Sequence, residues 1–242
     1  MALADRFGFF DPTQPYLVTY SELPHWEQEG ATYFITFRTK DSLPESVKTL
    51  LQRERDDWLK RQGIDPDRED WQATLRQRPH EFQRAFHREY VGKLEAALDR
   101  GLGACVLRDR ALAQIIADSL LFFDGQRSAS VSQSDSVSSE PVPSREVRYN
   151  ISDFVVMPNH VHVLVCFLSG VRMLAQCRSW KHFTAVKINA ALGAQGEFWQ
   201  PESFDHLVRD ADHFERFRRY IADNRMKAHL KADEGIHYQC PE

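Results

Sequence analysis

His160 and His162 stand one residue apart in an apolar run, and no other spacing in the sequence carries as much chemistry. Side chains two apart on a strand point to one face. If residues 160–167 are extended, both imidazoles project together, while Val161, Val163 and Val165 project the other way. Two adjacent imidazoles are natural ligands for a divalent metal ion. Ligands facing a groove would add little to the core. Taken alone, the pair fits packing or surface histidines equally well. A nucleotide hydrolase needing a third histidine at position 164 is excluded, because Leu164 stands there.

Tyr220 and Asn224 lie four apart, which on a helix places a phenol and an amide on one face. Tyr220 follows Phe217 by three residues, at the edge of an apolar stripe formed by Phe214, Phe217 and Ile221. If that helix packs on the histidine side of the sheet, the four polar groups converge. The alternative is that Tyr220 is one more packing aromatic. Arg216, Arg218, Arg219, Arg225 and Lys227 surround it. Residues 172–187 carry Arg172, Arg178, Lys181 and Lys187 with no acid between them. Either cluster alone reads as a solvated helix face. Together they read as a phosphate-binding surface, with Arg178, Lys181, Arg216, Arg219 and Arg225 as the contacts.

The elements that must position these groups follow from periodicity. Residues 1–30 read as loop, punctuated by Pro12, Pro15, Pro24 and Gly30. Residues 31–39 alternate and are rich in aromatic and β-branched types, as a strand is. Helical spacing follows in Val47, Leu50, Leu51, Trp58 and Leu59, after Leu43-Pro44-Glu45. It recurs in Phe82, Phe86, Tyr90, Leu94 and Leu98, and again in Leu112, Ile115, Ile116, Leu120 and Phe123. Residues 128–144 are rich in serine and lack aromatics, which predicts a flexible surface loop. Residues 145–156 and 160–167 read as a hairpin turning at Met157-Pro158-Asn159. Residues 172–191 are helical, with Gly193 and Gly196 beyond them, and residues 206–209 are a short strand. A last helix is capped by Asp210 or Asp212. The order predicts an α+β fold, a ferredoxin-like split βαβ sandwich with helices on an antiparallel sheet. The chain reads as one domain over 1–242, carrying a helical insertion at 41–126.

The segment Phe154-Val-Val-Met-Pro-Asn-His-Val-His-Val-Leu-Val165 resembles the signature hairpin of REP-associated tyrosine transposases, relatives of single-tyrosine HUH transposases. The resemblance extends through Leu23-Pro24-His25-Trp26 and Ala31-Thr-Tyr-Phe-Ile-Thr-Phe-Arg38. It continues in Ser179-Trp180-Lys181, Phe198-Trp199-Gln200, Glu202, Phe204-Asp205-His206 and Arg209-Asp210, and ends in Arg219-Tyr220-Ile-Ala-Asp-Asn224. It covers nearly the whole chain apart from the serine-rich stretch. It departs at Arg225, where these proteins usually carry proline. The resemblance implies that His160, His162 and Asn224 are metal ligands and Tyr220 the nucleophile. The implied cofactor is Mg²⁺ or Mn²⁺, and imidazole ligands favour Mn²⁺. The implied activity is cleavage and rejoining of single-stranded or hairpin DNA through a 5′-phosphotyrosine. The alternative is a domesticated, catalytically silent hairpin-DNA-binding protein. Trp180 is either core or a base-stacking residue, with core favoured.

Composition bounds these expectations without deciding them. The chain has 242 residues and a net charge of −4, mildly against a nucleic-acid partner as a sum, although charge distribution matters more. Cys105, Cys166, Cys177 and Cys240 are scattered, as in a reduced, cytoplasmic protein. No apolar run approaches the roughly 18 residues of a membrane span, and the N-terminus does not read as a secretory signal. A monomer or a homodimer is compatible with this reading.

Overall fold

Alternation along residues 160–167 builds the centre of the molecule. The computed structural model describes residues 3–20, 24–125, 146–231 and 234–241. The serine-rich 128–144 stretch, read as a loop, lies outside them. Among the described residues the strands are β1 (Leu17–Tyr20), β2 (Pro24–Glu27), β3 (Thr32–Arg38), β4 (Tyr149–Val156), β5 (His160–Phe167), β6 (Phe204–Leu207) and β7 (Ile236–Gln239). The α-helices are α1 (Glu45–Arg61), α2 (Trp71–Arg76), α3 (His80–Asp99), α4 (Arg110–Leu121), α5 (Met173–Leu192) and α6 (Ala211–Lys227). None is long and apolar enough to cross a membrane.

The five-stranded sheet has the order β6-β3-β5-β4-β7, with every neighbouring pair antiparallel. Setting β7 aside, this is the split βαβ arrangement expected from the sequence, an α+β fold. Val161, Val163, Val165 and Phe167 bury one face of β5 against Ile116, Leu120, Met173, Cys177 and Trp180 of α4 and α5. Leu164 and Cys166 bury the other face with Phe34, Phe214 and Ile221, beneath α6. The histidines share that second face. Both faces of β5 are therefore covered, which is why its run is apolar at nearly every position. Each large apolar side chain buried in these layers contributes about 1.5–3 kcal/mol.

A bulge at Ser152 lets Ile151 and Phe154 both face α4 and α5, and turns Asp153 and Val155 toward α6. The Ser152 carbonyl accepts from Cys240 N at 2.7 Å. Gly235 precedes β7 at φ 69°, and a Cβ there would lie 2.8 Å from the Val156 carbonyl oxygen, so glycine is required. Asp210, and not Asp212, caps α6 by accepting from His213 N at 2.6 Å. Gly193 ends α5 in the left-handed region at φ 63°.

Three short strands escape the sequence reading. β1 and β2 pair with each other inside the stretch read as loop, and β7 adds an edge to β4. The chain also divides otherwise than the 41–126 segment expected. Asp41–Cys105 forms one compact unit, and Met1–Lys40 with Val106–Glu242 forms the other. α4 belongs with the sheet because its apolar stripe packs on β-strand residues and on α5. Within the helical unit, Leu59, Ile64, Leu75 and Phe86 make a separate core, flanked by Trp58, Trp71, Phe82 and Tyr90.

The hairpin turn at Pro158-Asn159 receives two other segments of the sheet unit. Thr39 N donates to the Asn159 carbonyl at 2.8 Å, and Leu107 N to the Pro158 carbonyl at 3.1 Å.

Candidate active site

His160 and His162 emerge from β5 toward α6 with their Nε2 atoms 3.1 Å apart. Each ring is held at its other nitrogen. His160 Nδ1 lies 2.7 Å from Asn159 Oδ1, and His162 Nδ1 lies 2.7 Å from Thr36 Oγ1. Thr36 sits directly opposite His162 in the β3–β5 register. Both imidazoles are closed to water, at 1% and 0% exposure. The picture of ligands lining an open groove is therefore corrected: they are core residues of their layer. Burial pushes the His160 pKa down to about 3. Burial, with His160 alongside, pushes that of His162 well below the histidine range. Both are neutral at physiological pH, the state in which an imidazole offers a lone pair.

α6 is seated by its apolar stripe. Phe214 and Ile221 are buried, and Phe217 stacks on Phe34. The next step along this face brings the Tyr220 ring edge-on to His162, 5.2 Å between centroids, and to Phe34 at 5.6 Å. One turn further on, Asn224 is fully buried, and neither its amide nitrogen nor its oxygen has a hydrogen-bond partner among the described residues. An unsatisfied buried amide costs about 1–3 kcal/mol, which makes it an unusual thing for a core to keep. Lys227 places its ammonium 5.1 Å from the Tyr220 ring centroid.

Two neutral imidazole nitrogens and an orphaned amide oxygen are a donor set that can hold a divalent ion. Two nitrogens each about 2.1 Å from one ion and about 90° apart are themselves separated by about 3 Å, close to the 3.1 Å observed. No group of three or more His, Cys, Asp or Glu side chains suited to a metal is found among the described residues. A third side-chain donor would be of another kind, and the buried, unsatisfied Asn224 amide, one helical turn beyond Tyr220, is of such a kind.

The basic residues divide. Arg216 and Arg219 are exposed on α6, the helix of Tyr220. Arg225 donates from Nη2 to the Lys231 carbonyl at 3.2 Å. Arg218 faces inward, its Nε donating to Asp153 Oδ2 at 3.0 Å in a nearly closed site. Arg178 is exposed, but on α5, whose buried residues pack on the opposite face of the sheet. Lys181 donates to the carbonyls of Gln200 at 3.2 Å and Pro201 at 2.6 Å, and burial lowers its pKa. The two clusters thus do not form one surface, and Lys181 is committed within the fold. Trp180 is core, its Nε1 donating to the Tyr149 hydroxyl at 3.0 Å.

Sequence reasoning assigned no role to Thr36, Asp153 or the cluster around His25. The His25 Nδ1 is paired with Asp205 and its Nε2 lies 3.2 Å from Glu202, tying β2 to β6. Burial alone would lower the His25 pKa, but the two carboxylates outweigh it and hold it above the ordinary value.

No family model matches the chain, and no curated protein matches it. A solved structure of a REP-associated tyrosine transposase bound to a REP hairpin is similar to it, with a TM-score of 0.40 and 15% sequence identity, over 86% of this chain and 74% of that chain.

Proposed function

We propose that this protein is a divalent-metal-dependent DNA nuclease and strand transferase that uses Tyr220 as its nucleophile on single-stranded or hairpin DNA. The observation that carries the reading is the packing of the Tyr220 ring on His162, with the unsatisfied Asn224 amide one helical turn away. A phenol with a pKa near 10 is a poor nucleophile at neutral pH. Mg²⁺ or Mn²⁺, held by His160, His162 and Asn224, would polarise the scissile phosphate.

The chain's own residues supply the remainder. Tyr220 Oη attacks phosphorus, the bond from phosphorus to the 3′ oxygen breaks, and the phenol loses its proton as the leaving 3′ oxygen gains one. The product is a 5′-phosphotyrosine and a free 3′-OH. Attack by a second strand's 3′-OH reverses the step and joins DNA. Lys227, beside the phenol, and Arg216 and Arg219, on the same helix, carry the positive charge suited to backbone phosphates. His160 and His162 are neutral and each held at Nδ1, by Asn159 and Thr36, which fixes the ring planes that would face the ion.

Incubation with labelled palindromic single strands and Mn²⁺ tests the proposal. A covalent adduct that survives denaturing gel electrophoresis and is lost in Tyr220→Phe is the expected result. Tight hairpin binding with no adduct on any strand would favour the catalytically silent binding protein instead.

A further inference from the structure

We propose that the Thr36 hydroxyl is a two-way partner of His162, donating to it in the metal-free protein and accepting from it when a divalent cation binds. Thr36 would then be a positioning residue for the metal ligand; this rests on the metal-site reading above. The basis is one line of contacts: Thr36 Oγ1 to His162 Nδ1 at 2.7 Å, Nε2 to Nε2 at 3.1 Å, and His160 Nδ1 to Asn159 Oδ1 at 2.7 Å.

The proton positions along this line follow from what each atom can do. An amide oxygen only accepts, so His160 carries its proton on Nδ1 and a lone pair on Nε2. Two lone pairs facing each other at 3.1 Å would repel, so His162 donates from Nε2. Its Nδ1 is then an acceptor, and Thr36 must donate to it. In this state the His162 Nε2 proton points where a cation would have to enter.

For both Nε2 atoms to bind one cation, His162 must become the Nδ1–H tautomer. The ring loses a proton at Nε2 and gains one at Nδ1, so the proton count is unchanged. A hydroxyl is both donor and acceptor and needs only to rotate its hydrogen. Thr36 is buried beside His162, at 2% exposure, where water cannot replace it. The fixed β3–β5 register keeps Oγ1 at the ring in either state. A valine there fills the same volume but leaves Nδ1 unpartnered in both states. A buried N–H without an acceptor costs more than a lone pair without a donor, so the tautomer the cation needs is penalised more.

The experiment uses the full chain as wild type, Thr36→Val and Thr36→Ser. Mn²⁺ binding is followed by the loss of the free-ion electron paramagnetic resonance signal. The ring tautomer is read from ¹⁵N histidine spectra at one fixed pH, without metal and with Mg²⁺. Wild type should change His162 from Nε2–H to Nδ1–H when Mg²⁺ is added. Thr36→Val should bind Mn²⁺ about 10–100-fold more weakly, and Thr36→Ser should restore binding to about wild type. A His162 already Nδ1–H without metal, or equal Mn²⁺ affinity in folded Thr36→Val, overturns the proposal and leaves the metal site standing. A wild type that binds neither ion removes the metal site, and the proposal with it. Should Thr36→Val fail to fold, the wild-type tautomer change and Thr36→Ser decide the matter.

Discussion

The rings of Phe34 and Phe217 lie parallel, 4.3 Å between centroids and 7° between planes. Phe34 stands on β3, facing α6, and also stacks on His162 at 5.2 Å. One phenylalanine thus touches the helix that presents Tyr220 and the strand residue that Tyr220 meets. The stack fixes the rotation of α6 about its axis, and with it which side chains look at the histidines. The Arg218–Asp153 pair fixes the same helix from another side. Such a nearly closed pair is costly to break, because the surviving charge is left without compensation.

Tyr220→Phe keeps the ring packed against His162 and Phe34 and removes only the phenolic oxygen that the proposed mechanism needs. Stability should change by less than about 1 kcal/mol. Hairpin binding should persist within about threefold while the covalent adduct disappears. Gel analysis of the adduct beside a binding isotherm checks both. An adduct still formed by the mutant moves the nucleophile to another residue.

His160→Ala should not be structurally silent, because the ring is buried. It should lose about 1–3 kcal/mol of stability, read as a lowered thermal midpoint. His160→Gln keeps more of the volume and is the cleaner test of ligation. Mn²⁺ binding should fall at least tenfold in it, measured by isothermal calorimetry. Unchanged affinity would remove His160 from the ligand set.

The charged surfaces separate by position. Arg216→Ala and Arg219→Ala should each weaken hairpin binding and reduce the salt slope by about one. Lys181→Ala should leave the slope unchanged and instead lower the thermal midpoint, since its ammonium holds the Gln200 and Pro201 carbonyls. Binding measured at three salt concentrations distinguishes the two patterns. Wild-type protein should also prefer a single-stranded hairpin to a blunt duplex at matched salt.

The His25 cluster predicts a pH-dependent contribution to stability. Its folded pKa is raised above 6.5 by Asp205 and Glu202, against the opposing effect of burial. A raised folded value means the contribution is fully present below the unfolded pKa and is lost as pH rises through the folded one. Glu27 also faces Asp205 and, like Glu202, raises its pKa, but burial raises it most. His25→Gln should therefore cost about 3 kcal/mol near pH 6 and distinctly less near pH 9. Urea unfolding at the two pH values measures this. A cost that does not change with pH would mean that His25 is held neutral.

The parts of the site legible in the sequence are those set by local period. His160 and His162 share a face because a strand repeats every two residues, and Tyr220 and Asn224 share one because a helix nearly repeats every four. Thr36 was invisible because its place opposite His162 is a matter of register between strands 126 residues apart. The His25–Asp205 contact spans 180 residues for the same reason. β1, β2 and β7 have four residues each, too few for an alternating run to declare itself. α4 read as part of the helical segment because its stripe says that it is buried, not against what. Arg178 and Lys181 read as partners of the Tyr220 arginines because charge along a chain does not reveal which side of a sheet a helix covers.

The turn at Pro158-Asn159 has a topological consequence. Its two carbonyls receive Thr39, just before the helical unit in the sequence, and Leu107, just after it. The chain therefore departs and returns at neighbouring stitches beside the histidines, and Asp41–Cys105 is a detour from the path of the sheet. Loop-closure entropy depends weakly on length, each doubling costing about 0.6 kcal/mol. A short glycine-serine linker could thus span the same two stitches. The excised protein would keep every strand of the sheet, together with Thr36, Asn159 and both imidazoles. Any difference from the full chain in the proposed hairpin binding would then belong to the detour.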